Sequence, residues 1–77
     1  MNELTECINS NKPWAAARAQ MAYLIGQGLQ TGEVSPAEAK ELLEDLIRSD
    51  KLDAEADDMA LKALLVTGIY SVIQVCG

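Results

Sequence analysis

Histidine is absent from the 77 residues, and so is phenylalanine. Without an imidazole the chain lacks the commonest general base and a common zinc ligand. Cysteine is nearly absent too. Cys7 and Cys76 stand near opposite ends, with no C-x-x-C pair. Neither has a histidine to activate it as a nucleophile. Two cysteines are also too few for a disulfide framework to replace a core. Both are expected as free thiols, because a Cys7–Cys76 bridge would require the termini to meet. No glycine-rich phosphate loop is present: the G-x-G at 26–28 lacks a third glycine and a preceding strand. The acid run Asp50, Asp53, Glu55, Asp57, Asp58 lacks the glycine and the alternate spacing of a calcium loop. No catalytic, metal-binding or cofactor-binding residue is therefore assigned, and no enzymatic activity or cofactor is expected.

Basic residues are scarce as well, six against twelve acids, for a net charge of −6. Residues 1–31 are neutral, with Glu3 and Glu6 against Lys12 and Arg18. Residues 32–58 carry ten acids against Lys40, Arg48 and Lys51, or −7. Residues 59–77 carry only Lys62. Acidity on this scale argues against a nucleic-acid partner, whose phosphates need lysine and arginine. It suits a solvated face or a basic protein partner. The first residues are acidic and polar with no apolar run, so no secretory leader is expected and the expected location is cytoplasmic.

What is abundant is apolar bulk, 49% of the chain. It is densest in Met59–Val75, where Lys62, Thr67, Ser71 and Gln74 are the only polar side chains. A helix apolar on nearly every side has to be covered. Seventeen such residues fall short of the roughly 20 that span a bilayer, and Lys62 interrupts them. The stretch is therefore expected as a core helix, with Leu64 and Leu65 at its centre, and a membrane anchor is the weaker alternative.

Upstream, Leu4, Cys7 and Ile8 share one edge of a short helix or turn. Asn11 is the expected cap of a helix opened by Pro13, since proline is tolerated in a first turn. That helix has two stripes. Trp14, Ala17, Met21, Leu24, Ile25 and Gly28 make a bulky one; Ala15, Ala19, Ala22 and Gly26 make a small one. Gly26 and Gly28 read as close-contact positions or as a fraying end, and Gly32 as the residue just past the helix. Ser35-Pro36-Ala37-Glu38 matches the capping box, with Ala39, Leu42, Leu43, Leu46 and Ile47 as the apolar face behind it. Ser49-Asp50-Lys51 should end that helix, and Leu52-Asp53 should open the last one with Asp53 as cap. The two starts, at 32–39 and 50–57, align at an offset of eighteen residues.

The expected fold is all-α, in a single domain over 1–77. It is a small bundle of three main helices, about 13–30, 36–48 and 54–75, plus a short N-terminal helix or turn, with the C-terminal helix central. Two neighbours cannot cover a helix that is apolar all round, so a homodimer is expected. The expected interaction face is Trp14, Ala15, Ala19, Ala22, Gly26, Ile69, Tyr70 and Ile73. The expected acidic face is Glu41, Glu44, Asp45, Asp57 and Asp58. The function expected from these features is a non-enzymatic interaction module: a regulator, adaptor or assembly factor. Its first rival is an acidic inhibitor or nucleic-acid mimic that binds a basic protein; its second is a membrane-associated small protein.

Overall fold

A computed structural model describes residues 2–48 and 50–76; the side chains of Asn2, Asp50, Lys51 and Cys76 lie outside the description. The expected Cys7–Cys76 alternative and the stop at Ser49 therefore fall on residues outside it. The described chain is all helical: α1 (Asn2–Ile8), α2 (Pro13–Thr31), α3 (Pro36–Arg48), α4 (Asp50–Glu55) and α5 (Met59–Cys76). The last helix is central, packing against α1, α2 and α3, while α2 also meets α1 and α3.

Each boundary has a local cause. Pro13 sits in the first turn of α2, but Lys12, not Asn11, is the residue before it, with no side-chain cap. The Ser10 hydroxyl takes part of that role by accepting from the Lys12 N–H at 3.4 Å. α2 stops at Gly32, whose φ of 83° is left-handed and suits a residue without Cβ. The chain then folds back so that the Val34 N–H donates to the Gly28 carbonyl at 3.1 Å. A Cβ on Gly28 would come within 2.8 Å of Val34 Cγ2, so Gly28 is a close-contact position and not a frayed end. Ser35 caps α3 as expected, its Oγ accepting from the Glu38 N–H at 3.2 Å. Ser35→Ala should therefore cost about 1 kcal/mol in a denaturant melt. A silent Ser35 would mean that its hydroxyl does not hold the start of α3.

The second start differs from expectation. The chain turns helical again at Asp50, and α4 ends at Glu55. Asp53 lies inside α4, and the cap of α5 is Asp58, whose Oδ1 accepts from the Leu61 N–H at 3.1 Å. The expected helix over 54–75 is thus two helices broken at Ala56–Asp58. The break has a physical cause: Asp57 leaves the helical path to bond Lys12 and Trp14 of the first half of the chain. No glycine or proline marks that position.

The core joins Leu4 and Cys7 of α1, Ala15, Ala19 and Ala22 of α2, Leu43 of α3, Leu52 of α4, and Leu65 and Ile69 of α5. All are within 1% of full burial. The small stripe of α2 faces this core; of the bulky one, Trp14 joins the core and Ile25 packs against it, while Ala17, Met21 and Leu24 face out, the last two 53% and 57% exposed. Small side chains let backbones approach closely, so α2 seats against its neighbours through alanines.

Candidate functional site

The expected interaction face is mostly consumed inside the chain. Trp14, Ala15, Ala19, Ala22, Gly26, Ile69 and Ile73 are buried by neighbouring helices. Tyr70 alone stays outside, 51% exposed. The ambiguity has a physical source. A row of alanines reads equally as a seam between copies or between helices of one chain, and only the packing decides.

The acidic residues separate into two groups. Glu41 and Asp45 point outward on α3, and Glu44 pairs with Arg48 one turn on at 3.5 Å. Asp57 and Asp58 have local structural tasks instead. Asp57 accepts from Lys12 Nζ at 3.0 Å and from Trp14 Nε1 at 3.2 Å. These two bonds, the Lys12 bond first, hold its carboxyl below the ordinary aspartate range. Asp58 caps α5. Asp57 and Asp58 thus also hold local structure, while Glu41 and Asp45 do not.

The clearest site is a groove of about 630 Å³ between α2 and the α3–α4 segment, lined by Pro13, Trp14, Ala17, Arg18, Met21, Leu46 and Glu55. Its wall on α2 is largely apolar because Ala17 and Met21 of the bulky stripe face out. Arg18 crosses the groove, donating through Nη1 to the Trp14 carbonyl at 3.1 Å and to Glu55 Oε2 at 3.0 Å. The Asp57 bonds hold the indole edge in place. Leu42, one turn before Leu46, is also exposed and extends the apolar strip along α3. Glu38, Glu41 and Asp45 stand outside that strip, exposed and without a cationic partner among the described residues.

Asp57 makes this site sensitive to acid. A carboxyl whose folded pKa is depressed contributes stability that is present above its unfolded pKa and lost as pH falls through the folded value. The Trp14 emission should therefore shift as pH drops below the ordinary aspartate value of 3.8. Asp57→Asn should abolish that step in a fluorescence titration. An unchanged step in the variant would assign it to another carboxyl.

Among the described residues, Cys7 is the one titratable group in the core. Burial, and then the charge of Glu6, push its thiol up. A raised pKa keeps it protonated and poorly nucleophilic at neutral pH. Its Sγ lies 4.0 Å from the Leu61 carbonyl. Among the described residues, no three potential metal ligands cluster, and no helix is long and apolar enough to cross a membrane.

No family model, curated protein or solved structure matches the chain.

The groove had a partial signal in sequence. Trp14, Ala17 and Met21 follow each other at helical spacing on the bulky stripe. Leu46 and Glu55 join them only through tertiary folding. The signal that could have marked the stripe as outward is the competing alanine row, which leaves room for just one buried face.

Proposed function

We propose that the chain is a cytoplasmic, non-enzymatic protein-interaction module, a regulator, adaptor or assembly factor, that works as a homodimer. One observation carries the reading: large apolar side chains stand outward in rows on helices that the core already holds. Rows of this kind, unlike single exposed residues, mark contact surfaces.

The homodimer rests on the open side of α5. Met59, Ala63 and Tyr70 follow one line there, with Met59 71% exposed. The described helix carries no acid, and its one cation, Lys62, is held by Asp53 at 2.6 Å. Two copies can therefore meet along α5 without opposing like charges. A standard interface covers about 800 Å² per partner; the chain exposes 4786 Å². Light scattering at micromolar concentration should give twice the 8.3 kDa chain mass. Tyr70→Lys should return it to one chain. A fully helical wild-type monomer at that concentration would contradict the dimer.

The acidic-inhibitor reading keeps one point of support, the exposed Glu41 and Asp45 on α3, which have no cationic partner among the described residues. A mimic needs an array of exposed acids, and the diversion of Asp57 and Asp58 to structural bonds thins it. Under the module reading, Glu41→Lys should leave the helical circular-dichroism signal and the dimer mass unchanged.

A further inference from the structure

We propose that the groove between α2 and the α3–α4 segment docks a basic amphipathic helix of a partner protein. The proposal rests on the interaction-module reading and names the partner's chemistry. Three observations converge on it.

The first is shape. The groove is bounded along α2 by Ala17 and Met21, and across from them by Leu46. With Leu24 the exposed row on α2 has spacings of four and three residues. That is the spacing at which a second helix packs alongside the first. An apolar trough between two helices takes a third helix through anchors one turn apart.

The second is charge. The α2 wall contains no acid, and its single cation, Arg18, is already neutralised by Glu55. The opposite bank belongs to the segment 32–58, whose net charge is −7. Glu38, Glu41 and Asp45 lie along its exposed side without cationic partners among the described residues. A helix lying in the trough would meet apolar surface below and carboxylates on one flank. Lysine or arginine on that flank would meet them favourably, and aspartate or glutamate would be repelled. The same asymmetry disfavours a second copy here, since each copy would bring its own Glu38, Glu41 and Asp45 to the other's.

The third is rigidity. Trp14 lines the groove and is held by Asp57 and by its place in α2. A fixed aromatic wall lowers the ordering cost of binding.

Trp14 is the only tryptophan, so its emission reports occupancy directly. The probe is a synthetic helical peptide, free of tryptophan, with leucine on one face and lysine on the other. It is compared with a scrambled peptide of the same composition and with leucine–glutamine and leucine–glutamate versions. The leucine–lysine peptide should bind at least about tenfold more tightly than the other three, one decade being 1.4 kcal/mol. Ala17→Lys and Met21→Lys, at exposed groove positions, should each weaken it about tenfold. Asp45→Lys should weaken it while leaving the circular-dichroism spectrum unchanged. Gln74→Lys, which adds on α5 the same single charge as Ala17→Lys and Met21→Lys, should leave binding unchanged. Equal binding of the scrambled or the leucine–glutamine peptide would overturn the proposal, as would no binding at all. If Met21→Lys halves the mass in light scattering and Tyr70→Lys does not, a second copy fills the groove. That result would overturn the basic-helix partner and leave the interaction module standing.

Discussion

Leu65→Ala is expected to unfold the protein or come close to it. Leu65 is fully buried in the middle of α5, the helix that touches α1, α2 and α3. Truncating such a leucine loses its transfer free energy and leaves a cavity, together about 2–5 kcal/mol. A domain of this size has a total stability near the low end of the ~5–15 kcal/mol range. The loss is therefore comparable with the whole. Leu64 sits beside it in sequence but is only half-buried, so Leu64→Ala should cost clearly less. Thr67→Ala, on the exposed side of the same helix, should be near neutral. Circular-dichroism melts of the three variants give the order. A melt of Leu65→Ala matching the parent would mean that α5 is not the central helix.

The second large effect is expected at Gly68. This glycine is buried on the face of α5 that receives α1. A Cβ there would meet Leu4 Cδ2 at 2.9 Å, Leu4 Cγ at 3.0 Å and Glu3 Cβ at 3.3 Å. Leu4 is itself fully buried, so relieving the contact means repacking its side chain within the core. Gly68→Ala gains about 1 kcal/mol of helix propensity, which offsets part of the clash. Gly68→Val adds that Cβ and two methyl groups beyond it, with less gain in propensity, so it should cost about 3 kcal/mol through overpacking. Its signature should be displacement of α1. In a Cys76→Ser background, Cys7 should then react quickly with a thiol reagent, whereas in the Cys76→Ser parent it stays protected by burial. A Gly68→Val protein with Cys7 still protected would mean that α1 does not sit on Gly68.

The parts of the fold legible in sequence were those with local chemistry. Ser35-Pro36 announced α3 through capping alone, and Gly32 announced the end of α2 through its left-handed backbone. The apolar density of 59–75 announced the central helix. The parts that stayed hidden depend on partners far away in the chain. Asp57 carries no mark of a break; its partners there, Lys12 and Trp14, come from more than forty residues away in the chain. Gly68 looks like one more small residue until Leu4 arrives above it. The facing of α2 was ambiguous for the same reason, since both of its stripes could be buried in isolation. Once the alanine row is the one that α2 turns to the core, Met21 and Leu24 must face out, and the groove follows.

That facing is the claim on which the functional reading depends, and it can be measured directly. A soluble paramagnetic probe attenuates the methyl signals of side chains that water reaches. The account predicts strong attenuation of the Met21 and Leu24 methyls and protection of those of Ala19 and Ala22. Protection of Met21 and Leu24 with attenuation of Ala19 and Ala22 would contradict it.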